Sequence, residues 1–97
     1  MTCKNWRNKI GTSGRNCRCG SWKQHWINFS GQKWPTTCSV DGCYSYPTLG
    51  AHIYNNEVSG EKIVPMCDAC NKLTGSFNLK SGITLVSANK NETCEKW

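Results

Sequence analysis

Two cysteine pairs constrain this chain more than any other feature in it. Cys38 and Cys43 are separated by Ser39-Val40-Asp41-Gly42, and Cys67 and Cys70 by Asp68-Ala69. A close cysteine pair at a tight turn presents two thiolates from one knuckle. Zinc takes four such soft, deprotonated ligands in a tetrahedron, with sulfur about 2.3 Å away. The residues inside the first pair are turn formers. In the second pair Cys70 falls in the first turn of an expected helix, where the positive helix end favours thiolate. Cys38, Cys43, Cys67 and Cys70 are therefore expected to hold one zinc ion. A knuckle, a hairpin and a knuckle running into a helix make the layout of a treble clef.

Composition explains why such a staple is needed. The chain has 97 residues, of which 37% are hydrophobic. A core this thin is marginal alone and usually needs disulfides or a metal. Compartment separates those two options. The start, MTCKNWRNKI, has no apolar run after its basic residues, so no signal peptide is expected. The longest apolar runs, such as IVPM at 63–66, fall far short of the ~20 residues of a membrane span. The expectation is a cytoplasmic, reducing setting in which thiols favour metal. A secreted chain with four disulfides is the alternative.

Periodicity places the elements. Residues 1–20 show none and are rich in turn formers, so an irregular arm is expected. SWKQHWINFSG at 21–31 reads as a short helix. Ser21 can cap it, Gln24 can complete a capping box, and Gly31 can end it. Trp22, Trp26 and Phe29 line one face, which turns Trp22 and Trp26 to the core and Lys23 and Asn28 outward. GAHIY at 50–54 and EKIVPM at 61–66 suit a hairpin across a polar loop at 55–60. CDACNKLTG at 67–75 reads as a short helix ending at Gly75, and GITLVS at 82–87 as the last strand. The expected fold is α+β: one small zinc-stabilised domain over 1–97. Its basic, Trp-rich arm and helix occupy 1–36 and its metal-binding core 37–97.

Four cysteines remain. Cys17 and Cys19 lie close together, Cys94 stands near the other end, and His25 sits on the helix. A second zinc site from Cys17, Cys19, Cys94 and either His25 or Cys3 would clamp the arm to the C-terminal segment. Charge singles out the same arm. Residues 1–36 carry Lys4, Arg7, Lys9, Arg15, Arg18, Lys23 and Lys33 and no acid, beside four of the five tryptophans. Cations neutralise phosphates and indoles stack on bases. Arg7, Lys9, Arg15, Arg18, Lys23, Lys33 and Trp34 are therefore the candidate partner-binding residues, for a nucleic acid or a protein that handles one.

The stretch 38–75 resembles the HNH, or His-Me finger, endonuclease superfamily, in which a ββα unit is often stapled by zinc on two cysteine pairs. The whole chain is also similar to small bacterial and phage proteins with a C-G-S-W-x-x-H-W segment and a G-A-H-[IV] segment. Here these read Cys19-Gly20-Ser21-Trp22-Lys23-Gln24-His25-Trp26 and Gly50-Ala51-His52-Ile53. The superfamily resemblance implies a histidine as general base, an acid before it and a helix histidine that together hold a cation such as Mg²⁺, and an asparagine that orients the base. His52 matches the base. Ala51 stands where the acid should be, Lys62 near the orienting asparagine, and Asn71 at the helix position, where its carbonyl can still bind a hard cation.

Two lost parts of a four-part site argue against catalysis. The expectation is a non-catalytic, degenerate HNH-like zinc module, of a kind that suits phages and mobile elements as an inhibitor of a host defence nuclease. The alternative is a divergent endonuclease with His52 as base and Asn71 as ligand, and with Asn55, Asn56 or Glu57 replacing the acid.

Overall fold

A computed structural model describes residues 3–12, 15–90 and 93. The framework is a four-stranded antiparallel sheet in the order β1-β2-β3-β4, formed by Arg7–Asn8, Leu49–Asn55, Val58–Met66 and Val86–Ser87. Helix α1 covers Trp22–Ser30 and the one-turn helix α2 covers Asp68–Asn71.

Strand alternation sorts the hairpin residues into two cores. Ala51, Ile53, Val64 and Met66 point to one face, where they pack with Trp6, Cys38, Cys67 and Phe77. Ile63 points to the other, where Trp26 and Val86 close over it and Trp22, Phe29 and Trp34 pack around them. The cysteine knuckles belong to the first core and helix α1 to the second.

The hairpin is tighter than expected. Its connection is Asn56 and Glu57 alone, and Val58, Ser59 and Gly60 already belong to β3. Asn55 closes this turn by accepting the Glu57 N–H on Oδ1 at 2.8 Å. Val58 then packs against the first core, and that burial draws the expected loop into strand.

The arm is also more ordered than its composition indicates. Arg7 and Asn8 pair with Tyr54 and Ile53, and the Lys9 N–H donates to the His52 carbonyl at 2.9 Å. Trp6 is completely buried and exchanges two backbone hydrogen bonds with Phe77. Burying ~200 Å² of indole at ~25 cal/mol/Å² gives an upper bound of about 5 kcal/mol, enough to order a two-residue strand.

Helix α1 starts and stops where its caps require. Ser21 Oγ accepts the Gln24 N–H at 3.0 Å, and Gly31 takes a left-handed φ of 69° while donating to Ile27. The capping box is only half closed, because the Gln24 side chain runs forward to Asn28 Oδ1 at 2.8 Å instead of back. The start of α1 rests on β2 at Gly50. A Cβ there would lie 2.6 Å from the Trp22 carbonyl carbon and oxygen. Only glycine lets helix and strand approach so closely.

Two expected elements are shorter in the structure. Helix α2 ends at Asn71, four residues before Gly75, because the chain must return to pair Phe77 with Trp6. In 82–87 only Val86 and Ser87 join the sheet. Thr84 instead gives its carbonyl to Trp26 Nε1 at 3.0 Å and its hydroxyl to Gln32 Nε2 at 2.8 Å.

Candidate metal centres and the closed His52 strand

The sulfurs of Cys38, Cys43, Cys67 and Cys70 all lie within 4.8 Å of one another. Cys43 Sγ and Cys67 Sγ are 3.7 Å apart. A tetrahedron with ~2.3 Å bonds to sulfur has edges of about 3.8 Å, so this spacing fits zinc. The backbone donates to these sulfurs as well, from Cys67 N to Cys38 Sγ at 3.4 Å and from Cys70 N to Cys67 Sγ at 3.5 Å.

The first knuckle turns at Gly42, at a left-handed φ of 84°, with the Cys43 N–H on the Val40 carbonyl. Lys80 stitches it shut. Its Nζ donates to the carbonyls of Cys38 at 2.7 Å and Cys43 at 2.5 Å, beneath the Tyr44 ring at 4.6 Å. Asn8 holds the second knuckle, donating to the carbonyls of Cys70 at 2.9 Å and Leu73 at 3.0 Å. Neither Lys80 nor Asn8 stands out in the sequence, because each acts across a long separation.

The thiols of this group do not ionise alike. Hydrogen bonding at the Ser45 backbone pulls the Cys43 thiol down to about 7. Burial pushes the Cys38 and Cys70 thiols up. Such packed sulfurs ionise together only when a cation compensates them, so metal uptake must release protons.

A second group gathers at the arm. Cys17 Sγ, Cys19 Sγ and a His25 ring nitrogen also lie within 4.8 Å of one another. Of the other expected members, Cys94 lies outside the described residues and Cys3 is elsewhere. The Cys3 carbonyl accepts from Leu79 N at 2.7 Å, and its thiol faces the Lys80 carbonyl at 4.0 Å. The bridge between Trp6 and Phe77 fixes it there. Cys3, Cys19, Cys38, Cys43, Cys67 and Cys70 are free thiols.

His52 is 5% exposed. Its ring meets the Trp22 indole edge-on at 4.3 Å, and its Nε2 has no hydrogen-bond partner among the described residues. Burial, and then the charge of Arg15, hold its pKa down at about 4, against the opposing pull of Glu61. A conjugate acid that strong makes a weak general base. Ala51, beside it, faces the opposite core.

His52 and Asn71 line one cleft of about 170 Å³ with Thr12, Arg15 and Trp22. Asn55, Asn56 and Glu57 line a different cleft, with Asn5, Arg7 and Tyr54. The tight turn carries them to the far end of the hairpin, so they do not stand in for an acid beside His52.

The basic residues are dispersed. Arg15 pairs with Glu61 at 2.5 Å. Lys9 lies 6.0 Å from the Tyr54 ring and Lys23 5.1 Å from Trp34. Arg7, Arg18 and Lys33 are exposed. Trp34 is half-buried, packed edge-on against Trp26 at 5.6 Å with its N–H on the Pro47 carbonyl. That placement makes it part of the helix core more than an open stacking platform. No helix is long and apolar enough to cross a membrane among the described residues.

Comparison of the chain with protein-family models, curated proteins and solved structures yields no match.

Proposed function

We propose that this protein is a zinc-stapled, non-catalytic binding module on a degenerate HNH-like, treble-clef frame, whose partner is a nucleic acid. The observation that carries this reading is the state of His52. The one retained catalytic-type residue is buried under Trp22, neighbours an alanine and is depressed to about 4. The four cysteines meanwhile keep ligand spacing. Residues 1–36 carry seven basic residues and no acid of their own, and those other than Arg15, which Glu61 neutralises, supply the attraction for phosphate.

A salt titration of the zinc-loaded protein on labelled DNA and RNA tests the partner. Affinity should fall with salt at a log–log slope of about −0.9 per phosphate contacted on duplex DNA and −0.7 on single strands. Arg7→Ala with Arg18→Ala should flatten the slope. Lack of binding at low salt would turn the search to a protein partner, such as a defence nuclease that the module inhibits.

A second reading rests on the cleft shared by His52 and Asn71. That reading is a divergent, Mg²⁺-dependent endonuclease in which Trp22 moves aside. It requires cation-dependent nicking that is lost in His52→Ala.

A further inference from the structure

We propose that Cys17, Cys19 and His25 form a second metal centre, which takes zinc or a similar borderline-soft divalent cation through two thiolates and His25 Nδ1. This centre is distinct from the four-cysteine site and does not depend on the nucleic-acid reading. His25 is the most buried residue of helix α1, with no exposure at all. Its Nε2 lies 2.9 Å from the Ser87 carbonyl on β4. A carbonyl only accepts, so Nε2 carries the ring proton. In the neutral imidazole that leaves the lone pair on Nδ1. Nδ1 faces Cys17 Sγ at 2.9 Å.

Metal-bound histidines almost always donate their second ring N–H in this way, to a carbonyl or carboxylate that fixes the tautomer. Here the orienting group comes from the sheet, 62 residues away in sequence.

The backbone prepares the two sulfurs. Gly20, at φ 102°, closes a turn by donating to the Cys17 carbonyl at 3.0 Å. Cys19 N donates to Cys17 Sγ at 3.4 Å, the same contact and length as Cys67 N to Cys38 Sγ in the four-cysteine group. Ser21 caps α1 immediately afterwards, and His25 lies one turn in. Side chains of a helix lean toward its N-terminus, which brings the imidazole back over the turn.

The centre has a structural task. Among the described residues, the arm makes no further strand pairing between Lys9 and α1. Its described hold on the rest of the fold includes Arg15, through Glu61 and through its carbonyl to Trp22 Nε1 at 3.3 Å. A cation bound to Cys17, Cys19 and His25 would join the arm, the helix and, through Ser87, the sheet. Three donors leave the fourth position of a tetrahedral ion to solvent or to a residue outside the described ones. The proposal stands on the three.

The test is metal counting on the full-length, reduced protein by native mass spectrometry. The wild type should carry two zinc ions per chain. Cys17→Ala with Cys19→Ala should carry one while keeping its near-UV circular dichroism. Long-range ¹H–¹⁵N spectra of the zinc-loaded wild type should show His25 protonated at Nε2 and metal-shifted at Nδ1. One zinc ion in the wild type, two in the double variant, or an unshifted Nδ1 would each overturn the centre. Should the double variant fail to fold, cadmium-113 spectra of the wild type decide. Two signals, one of them moved from the all-sulfur position by a nitrogen ligand, support the centre, and a single signal refutes it.

Discussion

The four-cysteine group and the arm are built by different means. In the former, Cys38 and Cys67 belong to the main core, Cys43 and Cys70 pack against it, and Lys80 and Asn8 fasten both knuckles through their carbonyls. The arm is held at separate points: Trp6 in the core, Arg15 on Glu61, and Cys17 beside His25. The difference shows how a small chain divides its stabilisation. One region concentrates it in a four-cysteine cluster spaced to hold a metal and the other spreads it over single anchors. The largest prediction follows from the cluster. Cys67→Ser should abolish cooperative folding, since structural zinc supplies roughly 10–16 kcal/mol in small zinc peptides against a net stability of about 5–15 kcal/mol for a domain. Thermal unfolding with and without chelator checks this, and a variant that melts cooperatively without zinc would break the contrast.

Trp6→Ala probes the arm's deepest anchor. It should cost about 3–5 kcal/mol in chemical denaturation and free the first strand, while the four-cysteine site keeps its zinc. Loss of the zinc together with the strand would mean that arm and cluster are one cooperative unit.

Gly50→Ala tests the seam between α1 and the hairpin. The added methyl meets Trp22 backbone at 2.6 Å, which cannot rotate away. The cost should reach the top of the ~1–3 kcal/mol usual for overpacking. A neutral substitution would mean that the helix rides loosely on the sheet.

A pH titration sharpens the view of His52. Its folded pKa, about 4, lies below the ~6.5 of an unfolded histidine. Between those values the unfolded state binds the extra proton, so stability rises with pH and is lost as pH falls. From pH 7 to pH 5 the wild type should lose about 2 kcal/mol more than His52→Phe, and the comparison cancels the metal sites' own pH dependence. Equal losses would mean that His52 is solvated and available.

Much of the four-cysteine group was legible because spacing reports it directly. Pairs with two and four residues between them suit knuckles, and the two strand-like runs between the pairs suit a hairpin. Ser21 and Gly31 marked α1 for the same reason, since caps are local. What stayed illegible depends on distance in sequence. Nothing around Lys4 and Asn5 shows that Trp6 will pair with Phe77, or that Lys80 will close a knuckle begun at Cys38. The bond that His25 donates to the Ser87 carbonyl is equally silent, so the sequence offers His25 only as an optional ligand. Trp22 and Trp26 followed the helical period, but the buried His25 between them did not. The expected loop at 55–60 failed because one side chain, Asn55, made a two-residue turn sufficient.

The central claim is that this frame keeps the spacing for its metal and has closed its chemistry. The most direct measurement is a supercoiled plasmid incubated with zinc-loaded protein, with and without Mg²⁺ or Mn²⁺, beside His52→Ala. The account predicts intact plasmid in every lane. Nicking that requires both the added cation and His52 would contradict it.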